Sequence, residues 1–158
     1  MEITDLEKLK ITDDLRAVMA RYVRYADNKD WVSLAGSFTP TGVFTPLNEE
    51  GVAIRVMTGR EDISAKLLKS VGRAKAIHHL FSFEIEVESD TRAKGIFAME
   101  DYLIRPEDEK LVAQQGSAMP PFRRMHGFGH YHADFIKTDG EWFISNLKQT
   151  RIKLEFTY

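Results

Sequence analysis

The stretch Tyr22 to Trp31, YVRYADNKDW, concentrates phenols, carboxylates and an amide where a helical pattern runs out. Apolar residues recur at Leu15, Val18, Met19, Tyr22 and Ala26, the spacing of a helix with one face against a core, so Tyr22 is predicted to lie inward. Asp27 follows on the last turn, where a negative charge gains nothing from the negative end of the helix dipole. A carboxylate placed there calls for a partner from elsewhere in the chain. The plain alternative is that Asp27 and Asn28 only terminate the helix, as Asx residues readily do. A further carboxylate, Asp101 in AMEDYL, shares one side of an alternating segment with Phe97, Met99 and Leu103, so it is predicted to point inward among apolar neighbours. Such surroundings favour the protonated form of an acid. His126, His130 and His132 fall on one strand face by parity, as a polar strand lining a pocket or a metal cluster would require. An inward phenol, shielded carboxylates and imidazoles are the parts of general acid–base chemistry.

These groups need a scaffold, and 158 residues suit one domain with a core and room for a ligand. Hydrophobic content of 43% and charged content of 29% are those of an ordinary globular protein, and a formal charge of -2 gives no pull on nucleic acid. The absence of cysteine excludes disulfides and thiolate chemistry and fits a reducing compartment. The charged N-terminus MEITDLEKLK has no apolar segment of signal-peptide length, and no run is long enough to span a bilayer, so a cytoplasmic location without a membrane partner is expected.

Thr4 with Glu7 forms a capping-box pattern for a short first helix, and Thr12 with Asp13 and Asp14 opens the main one. Asp30 caps a third helix with apolar positions Trp31, Leu34, Ala35 and Phe38, ending at the turn 39–42. Short strands over 42–47 and 53–57 flank the polar turn 48–51, and a further helix runs from Gly59 to about Gly72. The period then becomes alternating. Phe81, Phe83, Ile85 and Val87 form one buried side of a strand, followed by a strand over 91–104 and a hairpin of 125–137 with 142–153 around Asp139-Gly140. The irregular stretch 105–121 carries three prolines and reads as a loop at a cavity mouth. Helices followed by a long antiparallel run indicate an α+β class. N-terminal helices would pack on a strongly curved, mostly antiparallel sheet, giving a cone-shaped α+β barrel open at one end.

The element order, with YVRYADNKDWVSLAGSF near the start and GHYHADFIKTDGEWFI near the end, resembles the SnoaL-like branch of the nuclear transport factor 2-like superfamily over roughly the whole domain. The motif pattern is most similar to that of bile acid 7α-dehydratase and more distantly to scytalone dehydratase and lindane dehydrochlorinase. That resemblance implies catalytic roles for Tyr22, Asp27, His78 and Asp101, and a substrate-binding role for Arg151 in QTRIKLEF, with pairing of Arg151 to Asp101 as the alternative. His79 is an alternative to His78 under a one-residue shift. Phe97, Met99 and His130 are expected to contact substrate. The resemblance also implies no cofactor, no metal, and a homo-dimer or homo-trimer.

With His78 as base and Asp27 fixing its tautomer, a cofactor-independent dehydratase acting on a hydrophobic, ring-containing hydroxy-carbonyl compound is the expected function. Tyr22 would hydrogen-bond the carbonyl oxygen, and Asp101 would protonate the leaving group or orient the substrate. The alternatives are an enolate-type isomerase and a non-catalytic binding protein or ring-hydroxylase-partner subunit. Geometry separates the enzymatic readings from the binding ones: His78 and Asp27 must approach within about 3 Å beside one pocket.

Overall fold

The computed structural model describes residues 2–158. Helix α1, Asp5–Asp27, buries Ile11, Leu15, Val18, Met19, Tyr22 and Ala26 along one stripe. Its capping box is formed: the Glu7 N–H donates to Thr4 Oγ1 at 3.2 Å and the Thr4 N–H to Glu7 Oε2 at 2.8 Å. The two helices expected over this span are one, because the apolar stripe runs unbroken from Ile11 to Leu15 and no Gly or Pro interrupts it. Helix α2, Trp31–Gly36, starts on Asp30, whose side chain accepts from the Ser33 N–H at 3.2 Å. It stops earlier than expected. Phe38 opens strand β1, Phe38–Pro46, where its ring packs on Tyr22 and Phe44. The expected strand over 53–57 shrinks to an isolated Leu47–Ala53 bridge and strand β2, Met57–Thr58, paired with Val43 and Phe44. Helix α3, Arg60–Val71, ends at Gly72 as read from sequence.

Strands β3 (Lys75–Val87), β4 (Arg92–Ile104), β5 (Arg124–Thr138) and β6 (Glu141–Thr157) complete a six-stranded sheet in the order β2-β1-β6-β5-β4-β3. Only the β1–β6 pairing is parallel. The β5–β6 turn takes φ 51° at Asp139 and 82° at Gly140, the positive angles that Asp-Gly was expected to supply. The sheet has free edges at β2 and β3, so the barrel is not closed. Its inner face carries Phe97, Met99 and Asp101 from β4, Tyr131, Ala133 and Phe135 from β5, and Leu147 and Gln149 from β6. Leu15, Met19, Leu34 and Ile63 of the helices are buried in the same core. Each fully buried side chain of that size contributes roughly 1.5–3 kcal/mol. No helix among the described residues is long and apolar enough to cross a membrane.

Register shifts redirect the strands. In β3 the pairing passes from Leu80–Met99 to Phe83–Phe97, so an extra residue is bulged out and parity reverses. Phe81, expected to be buried beside Phe83, is 62% exposed as a result. A second bulge lies where β5 meets β6 between Phe128 and Gly129. A Cβ at Gly129 would come within 1.8 Å of the Thr150 carbonyl oxygen, a backbone atom that cannot swing aside. Gly129→Ala should therefore destabilise the fold by about 3 kcal/mol, whereas Gly36→Ala, with nothing within 4 Å of the added carbon, should stay within about 0.5 kcal/mol of the parent in urea denaturation.

Candidate active site

A pocket between the inner sheet face and the helices gathers eight polar side chains: Tyr22 from α1, Arg55 from the segment before β2, Ser70 from α3, His78 from β3, Asp101 from β4, Tyr131 from β5, and Gln149 and Arg151 from β6. The rest of its wall is mainly apolar, including Trp31, Leu34, Phe44 and Leu103. Its free volume is about 80 Å³. Drug-sized ligand sites are roughly 300–1,000 Å³, so the chamber admits a small ring and little more.

His78 and Asp27, 51 residues apart, meet at the rim: Asp27 Oδ1 lies 2.8 Å from His78 Nδ1. Asp27 stands outside the wall and is about one-third exposed, while His78 is largely buried and lines the pocket. With the carboxylate accepting from Nδ1–H, the lone pair of the ring sits on Nε2, away from Asp27. The helix-end carboxylate thus has the partner that its position called for. His79, one residue on, faces the other side of the sheet, where Nδ1 is 3.4 Å from Glu100 Oε1 and the ring is mostly exposed. Parity on β3 excludes it from this pocket.

Asp101 is directly across from His78 in the β3–β4 register. It points inward, as expected, but both its oxygens are taken by Arg151: Nη1–Oδ1 2.6 Å and Nη2–Oδ2 2.8 Å. Neither side chain is more than 6% exposed. Burial pulls the Arg151 guanidinium down, but the Asp101 charge and hydrogen bonds more than offset this and hold it above its ordinary value. This is the Asp101–Arg151 pairing that the residues left open as an alternative to substrate contact, and it ties the carboxylate to the guanidinium through both oxygens. Glycine is required at position 127 beneath the pair, since a Cβ there would stand 2.4 Å from Arg151 Nη1 and 2.6 Å from Asp101 Oδ1.

Tyr22 and Tyr131 pack edge to face at 5.6 Å, both almost fully buried. Desolvation, with the Asp101 charge nearby, pushes the Tyr22 phenol far above the usual tyrosine value. Burial and the Tyr22 and Asp101 groups do the same to Tyr131. Both therefore stay neutral hydrogen-bond donors. Tyr131 was missed in the sequence, although it lies on the apolar parity of β5 with Ala133 and Phe135.

Three expected contact residues fall elsewhere. Phe97 is 2% exposed and packs edge-on against Phe135, with centroids 6.3 Å apart, in the core beside the pocket. Met99 is behind the lining, its Sδ 3.7 Å from Gln149 Nε2 and 3.8 Å from Arg151 Nη1. His130 is on the outer face with His126 and His132, because β5 turns its glycine, tyrosine and alanine positions inward and its histidines outward. His132 Nε2 lies 3.0 Å from Thr150 Oγ1 there, and burial with the His130 and Lys148 charges lowers its pKa. Among the described residues, no group of three or more His, Asp or Glu side chains is arranged to hold a metal ion.

A helical layer over an open, mostly antiparallel sheet, with polar groups converging on one inner pocket, defines an α+β scaffold of the kind that hosts small-molecule sites. A SnoaL-like domain model matches residues 7–148, and the chain belongs to that family. Solved structures share the fold. A candidate scytalone dehydratase from Novosphingobium aromaticivorans superimposes with TM-score 0.78 at 16% identity, over 98% of this chain and 93% of that one. Hexachlorocyclohexane dehydrochlorinase LinA-type3 from Novosphingobium barchaimii gives 0.72 at 17%, over 97% and 94%. A candidate aromatic ring hydroxylase from Novosphingobium aromaticivorans gives 0.72 at 16%, over 99% and 96%. At these identities the likeness is one of fold.

The buried pair makes the site sensitive to single charges. Asp101→Asn should cost about 3–5 kcal/mol by stranding Arg151, and adding Arg151→Met should recover much of that, as read by chemical denaturation of the single and double variants.

Proposed function

We propose that the chain is a lyase of the dehydratase type, acting on a small, largely apolar hydroxy-carbonyl compound. The observation that carries this reading is the 2.8 Å Asp27–His78 contact beside a pocket that also holds Tyr22 and Tyr131. Eliminating water needs a base for the C–H next to the carbonyl, a donor for the enolate oxygen and a proton for the departing hydroxyl. His78 Nε2 takes the proton, and Asp27 stabilises the imidazolium that forms. Tyr22, assisted by Tyr131, donates to the carbonyl oxygen, a bond that strengthens as negative charge develops there. The C–O bond then breaks as the carbon–carbon double bond forms. Since Arg151 occupies both Asp101 oxygens, the proton for the leaving hydroxyl comes back from His78 Nε2, and water departs. One imidazole thus serves as base and then acid, which requires the C–H and C–O bonds to lie on the same face of the substrate. Elimination neither oxidises nor reduces the substrate, so proton donors and acceptors meet its needs.

The family membership and the dehydratase and dehydrochlorinase among the structural relatives support a lyase or isomerase role. An enolate-type isomerase shares the first step and differs only in returning the proton to carbon.

His78→Ala should lower kcat on small cyclic β-hydroxy ketones by ~1,000-fold and Asp27→Asn by ~100-fold, with the fold intact by circular dichroism. Chromatography of the products separates elimination from rearrangement. Turnover at the parent rate in both variants would remove the basis of the proposal.

A further inference from the structure

A second cavity, of about 210 Å³, lies under the 105–123 loop against the C-terminal end of α3. It shares Arg55, Ser70 and Met119 with the catalytic pocket, so the two chambers adjoin through these residues. Its wall is electropositive: Arg55, Lys69, Arg105 and Lys110 contribute cations and Glu109 the one carboxylate.

These cations are not equivalent. Arg105 is committed to structure, donating to the Val71 and Ser70 carbonyl oxygens at 3.2 and 3.0 Å and lying 3.6 Å from Glu109 Oε2. Lys69 and Lys110 are exposed to solvent. Arg151, in the neighbouring chamber, has both terminal nitrogens on Asp101. Arg55 alone is half-buried with a neutral partner: Nη2 donates to Ser117 Oγ at 2.9 Å, and no carboxylate among the described residues lies within ion-pair distance. Burial without a counter-charge pulls its guanidinium below the ordinary value. A desolvated cation lacking an anion is costly to the protein alone, and an incoming carboxylate would satisfy it with two parallel hydrogen bonds. The Ser117 hydroxyl also accepts from the Met119 N–H, and the Ala118 N–H donates to the Ile54 carbonyl, so the loop is pinned directly over this arginine.

We infer that Arg55 is the anchor of an anion subsite, and that the substrate is an elongated molecule whose carbonyl-bearing end enters the His78 pocket while a carboxylate at its other end binds Arg55. The inference rests on the lyase reading for what happens at the first end. The chamber sizes agree with this division, since the catalytic pocket alone is too small for an extended ligand while the second cavity offers space for a tail. Arg55 touches no reacting bond and acts by selecting and orienting the substrate.

The test compares two inert probes of the same shape, 4-phenylbutanoate and 4-phenylbutanamide, by calorimetric titration of the full chain. The parent protein should bind the acid ~10-fold or more tightly than the amide. Arg55→Gln should equalise the two by weakening only the acid. Arg55→Lys, which keeps the charge but loses the planar fork, should retain a reduced preference and serves equally if the Gln variant does not fold. Equal affinity for acid and amide in the parent, no binding of either, or an undiminished preference for the acid in the Arg55 variants overturns the subsite. Turnover does not enter this measurement, so failure of the lyase reading would show as inactivity with the acid preference intact.

Discussion

The contact between Asp27 and His78 joins the end of the longest helix to the third strand and fixes the polarity of the site. A carboxylate at the C-terminal end of a helix is electrostatically out of place unless a donor meets it. The imidazole of His78 meets it at 2.8 Å, and the same bond orients the ring on the pocket wall. Because α1 also buries Tyr22 one turn and a half earlier, one element positions both the carboxylate that meets His78 and a phenol on the pocket wall. The sheet supplies what the helix cannot, a charged pair held in the core at Asp101 and Arg151. That pair exists because β5 presents glycine beneath it, and the glycine's missing side chain is the space that the guanidinium fills.

Much of this could be read from the sequence where local chemistry and fold agree. The Thr4–Glu7 capping box, the Asp30 cap, the apolar stripe of α1 and the Asp139-Gly140 turn each specify their own geometry and are found as expected. The inward direction of Asp101 follows from its parity with Phe97 and Met99. What was hidden depends on contacts between distant strands. The bulge that exposes Phe81 is a property of the β3–β4 pairing, and nothing in the residues 81–87 marks it. Parity alone shows that His126, His130 and His132 share a face without saying which. The opposite parity of β5, Gly127, Gly129, Tyr131 and Ala133, carried the signal: small and aromatic residues go where a buried pair and a close strand approach need room.

The Asp101–Arg151 geometry narrows the chemistry more than the presence of the residues does. Six polar residue types suit many reactions, but a bidentate pair ties one carboxylate and one cation to each other. The remaining groups able to move a proton at the pocket wall centre on His78, with two phenols kept neutral by burial. A compact chamber with a single acid–base group favours a reaction in which one proton leaves and returns on the same side. The electropositive cavity that adjoins this pocket at Arg55 is the place of the proposed anion subsite.

The proposed function depends on Asp27 holding His78 with its proton on Nδ1 and its lone pair on Nε2. Nitrogen-15 NMR of the imidazole rings at alkaline pH reads this directly. The parent chain should show the Nδ1–H tautomer of His78 and Asp27→Asn should lose it. A proton found on Nε2 of His78 in the parent chain would contradict it.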